Sequence, residues 1–205
     1  MKRSHLIALI VIAVIVFGII FVIKNFSVIT VTFNSDVSSV TILSKSGDKT
    51  AVINKSGDKT VLTNGDYSLV PRGDKVSEDK IPITVNKIEG FDVNPPYSAE
   101  YLTSVADKSQ PGIEAAFDKQ FPNVINDYTI QSTTAYLKGE WIGGVLVDKR
   151  STYNDLYDFY RFVARYETDH WQIINTPDLV LTKNNFPDVP DSVLNSINTL
   201  EQIVY

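Results

Sequence analysis

Cysteine is absent from the chain. That excludes disulfides, thiol nucleophiles and cysteine metal sites together, so the fold must hold through its apolar core alone, a composition suited to an exported prokaryotic protein. Histidine occurs only twice, leaving few imidazoles for acid–base work. Serine chemistry lacks its usual frames: there is no G-x-S-x-G elbow and no S-x-x-K ahead of a plausible base. Asp155, Asp158, Asp178, Asp188 and Asp191 match no calcium-loop spacing, so no metal ligands and no cofactor are assigned. Basic charge is also short. The whole chain is net −5, and setting aside residues 1–24 leaves 16 basic against 24 acidic side chains. Beyond Pro95 the balance is 8 against 15. An exterior this electronegative is a poor partner for phosphate backbones, which excludes nucleic acid.

What is present begins with Leu6 to Ile23, eighteen residues without a charged side chain. At about 1.5 Å per residue such a helix covers roughly 27 Å, close to the hydrocarbon thickness of about 30 Å. The sequence therefore predicts a single-pass membrane anchor from Leu6 to Ile23, with the lipid bilayer as its first partner. Lys2 and Arg3 precede the run and Lys24 follows it. That bias predicts a cytoplasmic N-terminus and an extracytoplasmic remainder at the cell membrane. A cleaved signal peptide would have a shorter apolar core ending in small residues, whereas Phe21-Val-Ile-Lys-Asn-Phe26 offers no small-residue pair at which to cut. A pilin-type helix would carry an early glutamate, whereas the first acidic residue is Asp36.

The remainder divides at Asn94-Pro95-Pro96, because consecutive prolines disfavour both helix and sheet. The expected organisation is residues 1–24 as tip and anchor, 25–94 as a small all-β sandwich-like domain, and 95–205 as an α+β domain. In the middle part Ser27 to Phe33 is a β-branched run. Lys45-Ser-Gly-Asp-Lys-Thr50 then recurs as Lys55-Ser-Gly-Asp-Lys-Thr60. With Asn64-Gly65-Asp66, these are turns between short strands, since Gly and Asx tolerate positive φ. Pro82 places the segment Lys80 to Ile88 at a sheet edge. Thr63-Asn-Gly-Asp-Tyr-Ser-Leu-Val70 resembles the PEGA-type surface domains, in which G-x-Y turns recur, although the Pro-Glu-Gly-Ala element is missing. That resemblance implies a spacer or interaction module and no chemistry.

In the last part Ser98 to Val105 and Gly112 to Phe121 read as helices, the second carrying Ile113, Ala116, Phe117 and Phe121 on one face. Period-two alternation then predicts four antiparallel strands over 127–138, 140–148, 156–166 and 171–183, followed by a helix opening at Pro190-Asp191. This helix-on-sheet plan, with Gly139-Glu-Trp141, Asp155-Leu-Tyr157 and His170-Trp171-Gln-Ile-Ile174, resembles the cystatin-like or nuclear transport factor two-like architecture. Such folds host binders and enzymes alike.

The aromatic residues supply the candidate site. Most belong in a core, but Trp141, Tyr157, Phe159 and Arg161 could form a Tyr-lined surface for a protein partner or ligand, because such rings offer area and a polar tip. His170, between Glu167 and Asp169, reads first as a solvated turn and second as a general base. The expectation is a binding or assembly protein with no catalytic residue. The alternative is a hydrolase or isomerase working in a distal cavity with His170 or an Asp as base.

Overall fold

The computed structural model describes residues 3–150 and 159–200. Its first element is α1, Arg3–Asn25. Among the described residues no helix is long and apolar enough to cross a membrane. The single-pass anchor expected at Leu6–Ile23 and the extracytoplasmic placement of the remainder are corrected on this ground. The three-part fold class falls with them. Among the described residues the chain is mostly β, with three sheets and four helices. It divides into two compact units, Met1–Pro96 and Tyr97–Tyr205.

The first unit holds seven strands: β1 Phe26–Phe33, β2 Ser39–Ser44, β3 Lys49–Ile53, β4 Lys59–Thr63, β5 Gly65–Arg72, β6 Ile81–Val85 and β7 Glu89–Val93. They form two sheets, ordered β4-β1-β7 and β3-β2-β5-β6. Each sheet buries alternate residues of its strands, as in Ser27, Ile29 and Val31 of β1 and Val40 and Ile42 of β2. Asn64 fastens the exit of α1. Its Nδ2 donates to the Lys24 carbonyl at 2.7 Å, its amide to the Asn25 carbonyl at 2.8 Å, and its Oδ1 accepts from Ser27 Oγ at 2.7 Å.

The two identical hexapeptides do different work. Gly47, at φ 92°, turns β2 into β3 within one sheet, whereas Gly57, at φ 88°, carries the chain across to β4 in the other. At the second site Gly57 donates its amide to the Val31 carbonyl at 2.8 Å, binding the turn to β1. β7, which the sequence did not announce, pairs parallel with β1.

The second unit opens with α2, Ala99–Gln120, a single helix containing Pro111 where two separate helices were expected. The Ser98 side chain caps it, accepting from the Tyr101 amide at 3.1 Å. Pro111 lies on the exposed side, so its ring meets solvent rather than the sheet. A short α3, Val124–Asp127, leads into β8 Tyr128–Tyr136, β9 Trp141–Asp148, β10 Phe159–Glu167 and β11 His170–Ile173. These form an antiparallel sheet ordered β11-β10-β9-β8. β11 is much shorter than the expected strand 171–183 because Asn175, at φ 61°, turns the chain away. The part of the expected third strand at 156–158 lies outside the described residues. The last helix is α4, Asp191–Asn198.

Both faces of this sheet are covered. On one, Ile113, Ala116 and Phe117 of α2 meet Ile142, Phe162 and Ile173, with the Phe117 and Phe162 rings edge to face at 5.0 Å. On the other, Val193, Leu194 and Ile197 of α4, with Leu181, Phe186 and Val189, meet Trp141 and Val163. β9 is buried from Trp141 to Leu146, and its two glycines make the approach possible. A Cβ at Gly143 would overlap the Ile197 side chain, and one at Gly144 would overlap the Ser132 carbonyl and the Phe162 ring. Gly143→Ala is therefore expected to displace α4 and to destabilise the protein by about 1–3 kcal/mol, the usual cost of overpacking. Thermal unfolding checks it, and an unchanged midpoint would contradict the close approach.

Candidate functional site

Of the four residues expected to share an aromatic surface, Trp141 and Phe159 lie at opposite ends of the β9–β10 ladder. Trp141 stands at the start of β9 opposite Arg165, and Phe159 at the start of β10 opposite Val147. Six strand residues separate the two levels, about 20 Å. Trp141 is 5% exposed and belongs to the core beneath α4, with the Arg165 guanidinium 5.1 Å from its ring centre. Arg161 lies 4.6 Å from the Phe159 ring centre. Its guanidinium donates to the Leu179 carbonyl and, at 2.8 Å, to the Leu200 carbonyl. Its backbone forms a bridge with Asp178 at 2.7 and 3.0 Å. Arg161 thus fastens the segment around α4 to the sheet. Tyr157 lies outside the described residues.

His170 occupies the β10–β11 turn, exposed, with Nδ1 3.1 Å from the Thr168 carbonyl oxygen. Of its acidic neighbours, Glu167 pairs with Arg165 at 3.0 Å. A cavity of about 210 Å³ lies beside it, lined by Lys119, Gln120, Trp171 and Gln172 among others. Gln120 reaches across to the outer edge of β11, where its Oε1 accepts from the Ile173 amide at 2.8 Å and its Nε2 donates to the Ile173 carbonyl at 3.4 Å. A side-chain amide therefore completes the ladder where a further strand would pair. Among the described residues no group of three or more His, Asp or Glu is placed to hold a metal ion.

The same end of the sheet carries the feature that sequence reasoning missed. Leu137, Lys138 and Gly139 follow one another at φ 43°, 65° and 82°, and Thr168 and Asp169 stand at 45° and 68°. Non-glycine residues enter this region at a cost, and a β-branched threonine does so with particular difficulty. On these turns Leu137 is 47% exposed, and Tyr166, just before the second turn, is 48% exposed with its ring 5.2 Å from Trp171. Lys138-Gly139 marked a turn in the sequence, but nothing there showed that Leu137 would stand outside.

The first unit holds a shallow groove of about 380 Å³ on β5 and β6 that includes Lys45, Asp66 and Thr84. Asp66 accepts from Lys45 Nζ at 3.2 Å and from Thr84 Oγ1 at 3.0 Å, and these two hydrogen bonds hold its carboxyl below the usual carboxylate range. Because the folded value is the depressed one, the contribution is present above the ordinary carboxylate pKa and is lost as pH falls through the folded one. Lys45→Met should raise the Asp66 titration midpoint measured by NMR, and an unmoved midpoint would remove the ion pair as its main cause.

The turn strain gives a second expectation. Thr168→Asn combined with Asp169→Gly supplies the residues that a two-residue turn at positive φ favours, and should raise stability by about 1 kcal/mol. Denaturant unfolding measures it, and a loss of stability would mean that these side chains hold the turn through contacts instead.

The chain matches no model of a known protein family and no curated protein. Among solved structures it is similar to a DUF3823 family protein from Bacteroides ovatus, at 11% identity over 72% of this chain and 95% of that one, with a TM-score of 0.28. A second DUF3823 family protein, from Parabacteroides merdae, shows 9% identity over 75% of this chain and 81% of that one, also at a TM-score of 0.28. This is a distant fold-level resemblance.

Proposed function

We propose that this chain is a binding or assembly protein without catalytic activity of its own, presenting its distal unit to a protein partner. The observation that carries this reading is the turn end of the distal sheet. Leu137 and Thr168 hold left-handed backbone positions that glycine or asparagine would occupy with less strain, and Leu137 and Tyr166 stand out into solvent beside them. A surface shaped only for stability would not retain roughly 1–3 kcal/mol of strain at such positions while exposing leucine and tyrosine. Strained backbone that displays apolar and aromatic side chains is what contact with another protein uses. The acidic balance of 8 basic to 15 acidic residues beyond Pro95 favours a partner with a basic face.

The resemblances fit the same reading. A PEGA-like first unit would serve as a spacer or interaction module, and a cystatin-like second unit would supply the contact surface. The hydrolase or isomerase reading took His170 or an Asp as base, and the His170 ring is exposed and faces a backbone carbonyl.

Crosslinking in cells followed by purification and mass spectrometry tests the proposal. One partner should be recovered in stoichiometric amounts. The double variant Leu137→Ser with Tyr166→Ser should lower that recovery at least about tenfold, equivalent to about 1.4 kcal/mol of contact, without lowering the unfolding midpoint. Recovery of no partner, or recovery that the double variant leaves unchanged, overturns the reading.

A further inference from the structure

The sheet edges in this molecule are not treated alike. Exposed edges invite pairing with other chains, and proteins blunt them with charge, proline, shortness or a covering group. In the first unit β3 opens with Lys49, β4 with Lys59, β6 contains Pro82, and β7 carries Glu89 and Asp92. In the second, β11 has four residues and is covered at Ile173 by Gln120. β8 has only one such device, a bulge near its start. It runs nine residues, Tyr-Thr-Ile-Gln-Ser-Thr-Thr-Ala-Tyr, with neither charge nor proline, and its one irregularity, at Gln131, leaves 132–136 regular.

Which backbone groups face outward follows from the register. The Tyr166 amide donates to the Glu140 carbonyl at 3.0 Å. By antiparallel alternation Ile142, Gly144 and Leu146 also point toward β10, and Trp141, Gly143 and Val145 toward β8. Their partners in β8 are Tyr136, Thr134 and Ser132. Thr133 and Ala135 therefore direct their N–H and C=O groups away from the sheet.

Beside this edge lies a groove of about 220 Å³ between β8 and α2. Ala99, Leu102, Thr103 and Ala106, at helical spacing, form one wall, and residues 133–135 form the other. The groove has room for an aliphatic side chain. Three residues before and four after the wall residue Thr103, and so its neighbours on the helix surface, Glu100 and Asp107 are exposed, and neither is ion-paired among the described residues. A strand laid on β8 would place alternate side chains into this groove and its flanking residues beside these carboxylates.

We propose that β8 and α2 form a site for strand addition. Its occupant is an extended segment of another protein, with an aliphatic residue facing the groove and Lys or Arg at its ends. Main-chain hydrogen bonds to Thr133 and Ala135 would supply affinity, and the groove and these two carboxylates would supply selectivity. This rests on the reading of the chain as a binding protein but uses a different surface from the turn end.

The probe is a synthetic nine-residue peptide of alternating valine and threonine with a lysine at each end, added to the whole isotopically labelled chain. Amide exchange at Thr133 and Ala135 should slow at least about tenfold at saturation. Thr133→Pro removes an outward N–H while leaving the β9 ladder intact, and should weaken binding at least about tenfold. Thr103→Trp, an exposed substitution that fills the groove, should do the same, and a peptide ended by glutamates should bind less well. Absence of binding at millimolar peptide, or binding that survives both variants, overturns the proposal. So does slow exchange without peptide accompanied by a dimer that Thr133→Pro dissolves, which would assign the edge to a second copy. Binding lost in the Leu137→Ser, Tyr166→Ser variant but kept in Thr133→Pro would support the turn end and overturn the edge site.

Discussion

The second unit depends on how closely two layers approach β9. Gly143 and Gly144 leave two adjacent positions of β9 without a side chain, so the Ile197 side chain reaches the strand from one face and the Phe162 ring passes beside it on the other. From this follow the burial of β9 on both faces and the seating of α4. Protein interiors tolerate overlap poorly, because their packing resembles that of a molecular crystal. Two missing methyl groups therefore shape this core as much as any large residue in it. Arg161 supports the arrangement from the next strand by holding the Leu179 and Leu200 carbonyls on either side of α4.

Where side-chain pattern reports directly on burial, the sequence was informative. The stripe Val193, Leu194 and Ile197 marks the buried side of a short helix, whereas along Phe159 to Glu167 the alternation marks a strand but not its burial, which runs unbroken over Phe162 to Ala164. Pro82 marked an edge, and β6 lies at one. The reading failed where a local signal has two outcomes. Ser98 to Val105 and Gly112 to Phe121 read as two helices, yet one helix runs through Pro111, whose ring is on the solvent side. Lys55-Ser-Gly-Asp-Lys-Thr60 looked like a second hairpin turn, and it is a crossing between sheets. The run at 6–23 suggested an anchor, and among the described residues no helix is long and apolar enough to cross a membrane.

The candidate site was less legible than the fold. Aromatic residues report apolar area but not which side of a sheet is covered, and here both are. Trp141 was therefore absorbed into the core, and Arg161 into backbone contacts with the segment around α4. The residues that do stand out, Leu137 and Tyr166, owe their exposure to turn geometry. Positive φ at Leu137 or Thr168 leaves no trace in the sequence, since neither residue type favours it. The open edge of β8 is a different case: its uncharged composition is visible, but that it forms an edge is a property of sheet order.

The paired hexapeptides at 45–50 and 55–60 have a consequence for how the chain finds its fold. Identical local sequence cannot instruct one copy to return within its sheet and the other to leave it. The decision falls to β1, because β4 pairs with it from Phe26↔Thr63 to Thr30↔Lys59, contacts between residues some thirty positions apart. Such pairings close long loops and form late relative to neighbouring hairpins. Until β1 is seated, two turns of equal merit compete for the partnership of β3, and commitment of the first unit to its two sheets is a non-local event.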